Sequence, residues 1–108
     1  MRYHEHFEWE AAKARASARK HGVTFDDAAR VLGDEAAHEF HVEDYDDAHS
    51  MEEERWITTA SHPDDRTLVL RIVWTQRGPA GAPVTRIISA RLATREEASG
   101  YAEAIAKE

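Results

Sequence analysis

The chain has 108 residues, enough for one compact domain over 1–108 and too few for a second hydrophobic core. Cysteine is absent, which excludes thiol catalysis, cysteine-type zinc sites and a disulfide framework. Fourteen Lys and Arg against 21 Asp and Glu give a net charge of −7, which taken alone argues against a polyanionic partner. No apolar run approaches the ~20 residues that span a bilayer. The opening MRYHEHFEWE has no apolar stretch of the secretory kind, so a soluble cytoplasmic protein, away from membranes, is expected.

In chain order, residues 3–9 alternate, with Tyr3, Phe7 and Trp9 on one parity, and predict a short strand. The helix formers of 10–21 follow, with basic residues in the last turn and Gly22 placed to end the helix. Thr24 opens a second helix with Asp27 three residues on, an imperfect capping box. Phe25, Ala28, Ala29 and Leu32 make its apolar stripe, and Gly33 ends it. Residues 36–42 predict a strand, 43–54 an acidic loop, 55–61 another strand and 62–65 a turn. The β-branched run 67–76 is the most emphatic strand of the chain. RGPAGAP at 77–83 predicts a hairpin loop and 84–92 its antiparallel partner. Thr94 and Glu97 form a T-x-x-E capping box for a last helix reaching about Ala106. The order β-α-α-β-β-β-β-α predicts an α+β fold: a mainly antiparallel sheet of four to five strands, with two N-terminal helices and a C-terminal one.

Charge is unevenly spread. Residues 31–65 carry twelve acidic groups and one basic, whereas 66–95 carry six Arg and no acid. An acid-free arginine segment attracts phosphate locally whatever the net charge of the chain.

Three blocks carry a resemblance. The first is FEWEAAKARASARKHGVTFDDAARVL at 7–32. The second is the pair His49-Ser50 with Glu54-Arg55. The third is RIISARLATREEASGY at 86–101, preceded by Thr75 and Arg77. In this order they resemble the BrnT family, toxins of type II toxin–antitoxin pairs with a RelE-like fold. The resemblance implies an endoribonuclease that inhibits translation and a BrnA-like antitoxin that masks it. It also implies contact with operator DNA only indirectly, through that antitoxin. One departure is visible: the family's last helix carries several basic residues, whereas here Glu96, Ala98, Ser99 and Gly100 leave only Arg95 basic. The alternative is therefore a catalytically weakened toxin-like domain that acts as an antitoxin-binding module.

Metal-independent RNA cleavage, with no cofactor, needs a base for the 2′-hydroxyl, a cation for the pentavalent phosphorane and an acid for the leaving 5′-oxygen. Arg suits the cationic role because its planar fork meets phosphate oxygens in pairs. Arg77 and Arg91 lead as catalytic candidates, and a plain 77–91 hairpin is expected to make them neighbours. The other reading of each is a surface residue solvating a strand end. Arg55 with His49 is the next constellation, unless Arg55 simply pairs with Glu52–Glu54. Lys20, Arg71, Arg86 and Arg95 are candidate RNA contacts, though Lys20 and His21 also suit a helix C-terminus. Tyr101 is a general acid, a base-stacking ring or a core residue. Glu97 is accounted for by its capping box. The pairs His4-x-His6 and His38-x2-His41 lack a clear third ligand, so no metal site is assigned. Trp9, Trp56 and Trp74 are expected in the core. The acidic run is a solvated loop or a shield over the arginines.

Overall fold

A computed structural model describes residues 6–79 and 81–107, with the backbone alone for Glu35 and His38. Its elements are β1 (Phe7–Glu8), α1 (Ala11–His21), α2 (Phe25–Leu32), β2 (Val42–Tyr45), β3 (Trp56–Ser61), β4 (Val69–Arg77), β5 (Val84–Leu92) and α3 (Arg95–Ala106). The five strands form one sheet in the order β1-β5-β4-β3-β2. Its pairs are antiparallel except β1 with β5, which is parallel, so the α+β architecture is a mixed sheet with three helices. Tyr3 and His4, the start of the first predicted strand, lie outside the described residues.

Alternation in β3 and β4 places Thr58, Ala60, Leu70, Ile72 and Trp74 in the core, where Phe25, Ala28, Val31 and Leu32 of α2 pack. The register slips between Val73 and Trp74, which face Ser89 and Ile87, leaving Ile88 as a bulge. That extra residue explains why Ile87 and Ala90, three apart, are both buried. It also turns Arg91 to the opposite face of the sheet, beside Arg71. Trp74 stacks on Trp56 with centroids 6.3 Å apart, and its indole N–H donates to Thr58 Oγ1 at 2.8 Å.

α1 buries no residue fully. Among the described residues β1 pairs with β5 at Thr85 and Arg86 only, and the rest of β5 has no strand on that side. α1 lies there instead, and Ser17 Oγ donates to the Ala90 carbonyl at 2.7 Å. A helix thus satisfies what would be an open sheet edge. The helix ends at Gly22 with φ of 69°, its N–H bonded to Ala18 O.

Two expectations are corrected between residues 34 and 54. The predicted strand 36–42 is a 3₁₀ turn over Glu35–Phe40, and the strand begins only at Val42. Asp34 explains the difference, since both its carboxylate and its carbonyl accept the Ala37 N–H, which starts a helical turn. The predicted acidic loop then yields its first residues to β2, where Glu43, Asp44 and Tyr45 face Thr58, Ile57 and Trp56. The remainder is tied shut: Asp46 N–H bonds Arg55 O, and Ser50 Oγ bridges Asp46 O and the Arg55 N–H. Thr24 caps α2 through Asp27 N–H at 3.0 Å, but the Asp27 carboxylate turns to His62 and Arg30, so the reciprocal half of the box is spent elsewhere.

Candidate functional site

The face of the sheet opposite α2 carries the arginines. Arg71 on β4 stands directly across from Arg91 on β5. Between them reaches Glu97 from the first turn of α3. Its Oε1 accepts from Arg91 Nη1 at 2.7 Å and from the Thr94 N–H at 2.9 Å. Its Oε2 accepts from Arg91 Nη2 at 2.9 Å and lies 3.0 Å from Arg71 Nε. Arg71 Nη1 reaches across to Thr59 Oγ1. The Arg91 hydrogen bonds are the chief reason that the Glu97 carboxyl is held down to about 2, with the Thr94 N–H and the charges of Arg71 and Arg91 helping. Arg91 in turn is shifted upward by Glu97.

Arg91 also rims a groove of about 250 Å³ between α1 and β5. Lys13, Lys20 and His21 line it from the helix, and Ile88, Ser89 and Arg91 from the strand. Among the described residues no carboxylate lines this groove. Lys20, predicted from sequence as an RNA contact, and Arg91 therefore share one cationic surface.

Arg77 lies elsewhere, and the expected Arg77–Arg91 adjacency is overturned. In the antiparallel ribbon Arg77 faces Val84 beside the hairpin loop, while Arg91 faces Arg71 at the far end. A hairpin brings together the residues flanking its loop. Arg91 stands at the end of the returning strand, so six residues of β4, about 20 Å, separate the two arginines.

Arg77 instead shares a second cleft with His49 and Arg55, together with Met51, Glu52 and Glu53. His49 Nδ1 is 3.1 Å from both oxygens of Asp46, a carboxylate only 8 % exposed. Glu53 reaches Arg77 at 3.2 Å and Arg55 at 3.7 Å. Arg55 Nε is a buried donor with no hydrogen-bond partner among the described residues. Three of the four sequence candidates for catalysis thus converge here, but with two carboxylates among them.

The remaining candidates scatter. Arg86 pairs with Glu8. Arg95 is exposed on the first turn of α3. Tyr101 donates its hydroxyl to the Phe40 carbonyl at 2.7 Å, a tether between α3 and the 3₁₀ turn, away from both clefts. Trp74 is buried, while Trp9 and Trp56 are half-buried and packed on the core. His4 and the His38 side chain lie outside the described residues. The metal-like cluster that does form is Asp27, His62 and Asp64. His62 Nδ1 accepts the Asp64 N–H, so Nε2 carries the proton toward Asp27, and Asp64 is held at 2.8 and 2.9 Å by Arg30. These bonds clasp α2 to the turn after β3.

Two residues escaped the sequence. Asp46 is signalled only by its i,i+3 spacing to His49, and Glu97 was explained away by its own capping box. Among the described residues no helix is long and apolar enough to cross a membrane. No curated protein matches the chain. A family model described as "Ribonuclease toxin, BrnT, of type II toxin-antitoxin system" matches residues 9–97, from Trp9 before α1 to Glu97 between the two arginines. The chain belongs to the BrnT family of ribonuclease toxins.

Proposed function

We propose that this chain is a cytoplasmic endoribonuclease that cleaves RNA on the face carrying Arg71 and Arg91, using side-chain acid–base chemistry. The observation that carries this reading is the pairing of those two arginines beside the α1–β5 groove. Among the described residues that line the groove, Lys13, Lys20 and Arg91 are fixed cations and none is a carboxylate. The cleft of Arg55, Arg77 and His49 sets Glu52 and Glu53 against its two arginines, so a polyanion is drawn to the groove.

In this reading the RNA backbone follows the groove and Arg71 and Arg91 meet the phosphate. The 2′-hydroxyl loses its proton to a base and its oxygen bonds to the adjacent phosphorus. The bond to the 5′-oxygen breaks, and that oxygen takes a proton. Imidazole is suited to both transfers, and His21 lines the same groove as Arg91. The arginines offset the negative charge that accumulates on the equatorial oxygens. Cleavage of messenger RNA in this way stops translation. As a type II toxin the chain has an antitoxin partner. We assign a BrnA-like protein to that role, with operator DNA reached only through it.

A second reading, an antitoxin-binding module with little catalysis, is favoured by α3, which has no basic residue in its last turn. The two readings separate on purified protein and single-stranded RNA. The wild type and Arg77→Ala are expected to cut, and Arg71→Ala and Arg91→Ala to lose cleavage. Intact RNA with the wild type, alongside tight antitoxin binding, establishes the module instead. Loss of cleavage in Arg77→Ala alone moves the site to the other cleft.

A further inference from the structure

We infer that Glu97 is a positioning residue, the carboxylate that turns Arg71 and Arg91 into one phosphate clamp. The inference rests on RNA cleavage at that face and adds the group that assembles it. Two arginines directly opposite on neighbouring strands repel one another and splay apart unless an anion lies between them. Glu97 supplies that anion with both oxygens. Arg91 is held through both terminal nitrogens, a fork-to-fork geometry that fixes the plane of its guanidinium as well as its distance. Arg71 is fixed by Nε to Glu97 and by Nη1 to Thr59.

The carboxylate is itself immobilised. Thr94 Oγ1 accepts the Glu97 N–H at 3.1 Å while Glu97 Oε1 accepts the Thr94 N–H, closing the capping box. Only Ala93 and Thr94 separate β5 from α3, so the helix start, the carboxylate and Arg91 move as one unit. This gives α3 a purpose that its packing does not, because none of its residues is fully buried.

The same geometry distinguishes positioning from general-base catalysis. Each oxygen of Glu97 already meets two donors, so neither is presented to a 2′-hydroxyl. A carboxylate that only occupied the phosphate site would be displaced by substrate, and its removal would speed the reaction. A carboxylate that aligns the guanidinium groups lowers turnover when it is removed.

Glu97→Gln tests this, since Gln still completes a capping box but sets an amide N–H₂ against a guanidinium. With a single-stranded RNA oligonucleotide, kcat is expected to fall roughly 10- to 100-fold, the scale of a small misplacement of catalytic groups. KM, and the Kd of the uncleavable 2′-O-methyl oligonucleotide, should stay level or fall, because a competing negative charge has gone. The residual activity should keep the pH profile of the wild type. Thr24→Ala, which removes the cap hydroxyl of α2 and leaves Glu97 and both arginines in place, should cut at close to the wild-type rate.

Unchanged or raised kcat in Glu97→Gln overturns the inference, and so does a Thr24→Ala enzyme as slow as Glu97→Gln, which would make the loss one of general stability. Loss of the acidic limb of the profile in Glu97→Gln would make Glu97 the base and also overturn it. Arg91→Ala in the same assay guards the foundation: undiminished cleavage there refutes the site itself, whatever Glu97 does.

Discussion

Protonating Glu97 should cost the fold a definite amount of stability over a definite pH range. The carboxyl is depressed from an ordinary 4.5 to about 2, first by the Arg91 hydrogen bonds. A depressed carboxyl stabilises the fold fully above its unfolded value and progressively less as pH falls toward its folded one, so the window here runs from about 4.5 to about 2. Linkage caps the contribution at about 3 kcal/mol. The side chains of Glu97 and Arg91 are 23 % and 37 % exposed, and water screening reduces the figure to about 1–2 kcal/mol. Glu97→Gln lacks this contribution at every pH. In urea or thermal unfolding the wild type should therefore exceed the variant by about 1–2 kcal/mol at pH 7, or roughly 4–12 °C in Tm for a domain this small. By pH 3 more than half of the gap should have closed. Asp64 and Asp65, also depressed by their hydrogen bonds, titrate alike in both proteins and cancel in the difference. A gap of the same size at pH 7 and pH 3 would refute the ion-pair account and leave only helix capping as the role of Glu97 in stability.

Ser17→Ala removes the hydroxyl that caps the Ala90 carbonyl on the uncovered length of β5. A lost hydrogen bond of about 1 kcal/mol, partly offset by the better helix propensity of Ala, should lower the unfolding free energy by about 0.5–1 kcal/mol. An unchanged urea midpoint would mean that α1 is not tied to the edge there. Gly78→Ala meets two obstacles: φ is 88°, and an added Cβ would sit 2.6 Å from the Ala82 carbonyl oxygen. It should cost on the order of 1–3 kcal/mol in the same measurement, and a variant as stable as the wild type would contradict the turn geometry.

How much was legible depended on whether a local pattern was sufficient. The Thr94–Glu97 box, the Phe25–Leu32 stripe, the 84–92 return strand and the family blocks were all readable, because each is specified within a few residues. The 34–45 stretch departs from the sequence expectation because Asp34 starts a helical turn where apolar content favours extended chain. The Ile88 bulge was invisible, since nothing in VTRIISARL marks which residue is extra; only pairing with β4 reveals it. That bulge decides which face Arg91 occupies, so the site inherited the same blind spot. The expectation that Arg77 and Arg91 meet fails on topology, because Arg77 stands at the loop end of the hairpin, opposite Val84, and Arg91 at the far end, opposite Arg71. His49, Arg55 and Arg77 did converge as sequence candidates. The alternative reading of Arg55, an ion pair within the Glu52–Glu54 run, is met by Glu53 at 3.7 Å, and that carboxylate also reaches Arg77 at 3.2 Å.

The net charge of −7 and an RNA substrate are compatible because of distance. Glu52 and Glu53 line the Arg77 end of the face, while the α1–β5 groove and the Arg71–Arg91 pair lie at the other end, about 20 Å along β4. The Debye length near physiological ionic strength is about 8 Å, so Glu52 and Glu53 are largely screened from the groove and their charge scarcely opposes a phosphate there. Glu97 lies within that distance of the arginines, and it is the carboxylate held between them by four donors. The acidic residues thus act at two ranges. Glu52 and Glu53 lower the net charge without lining the groove. The one beside the arginines orients them, and its charge is what allows two guanidinium groups to face each other across neighbouring strands before any phosphate arrives.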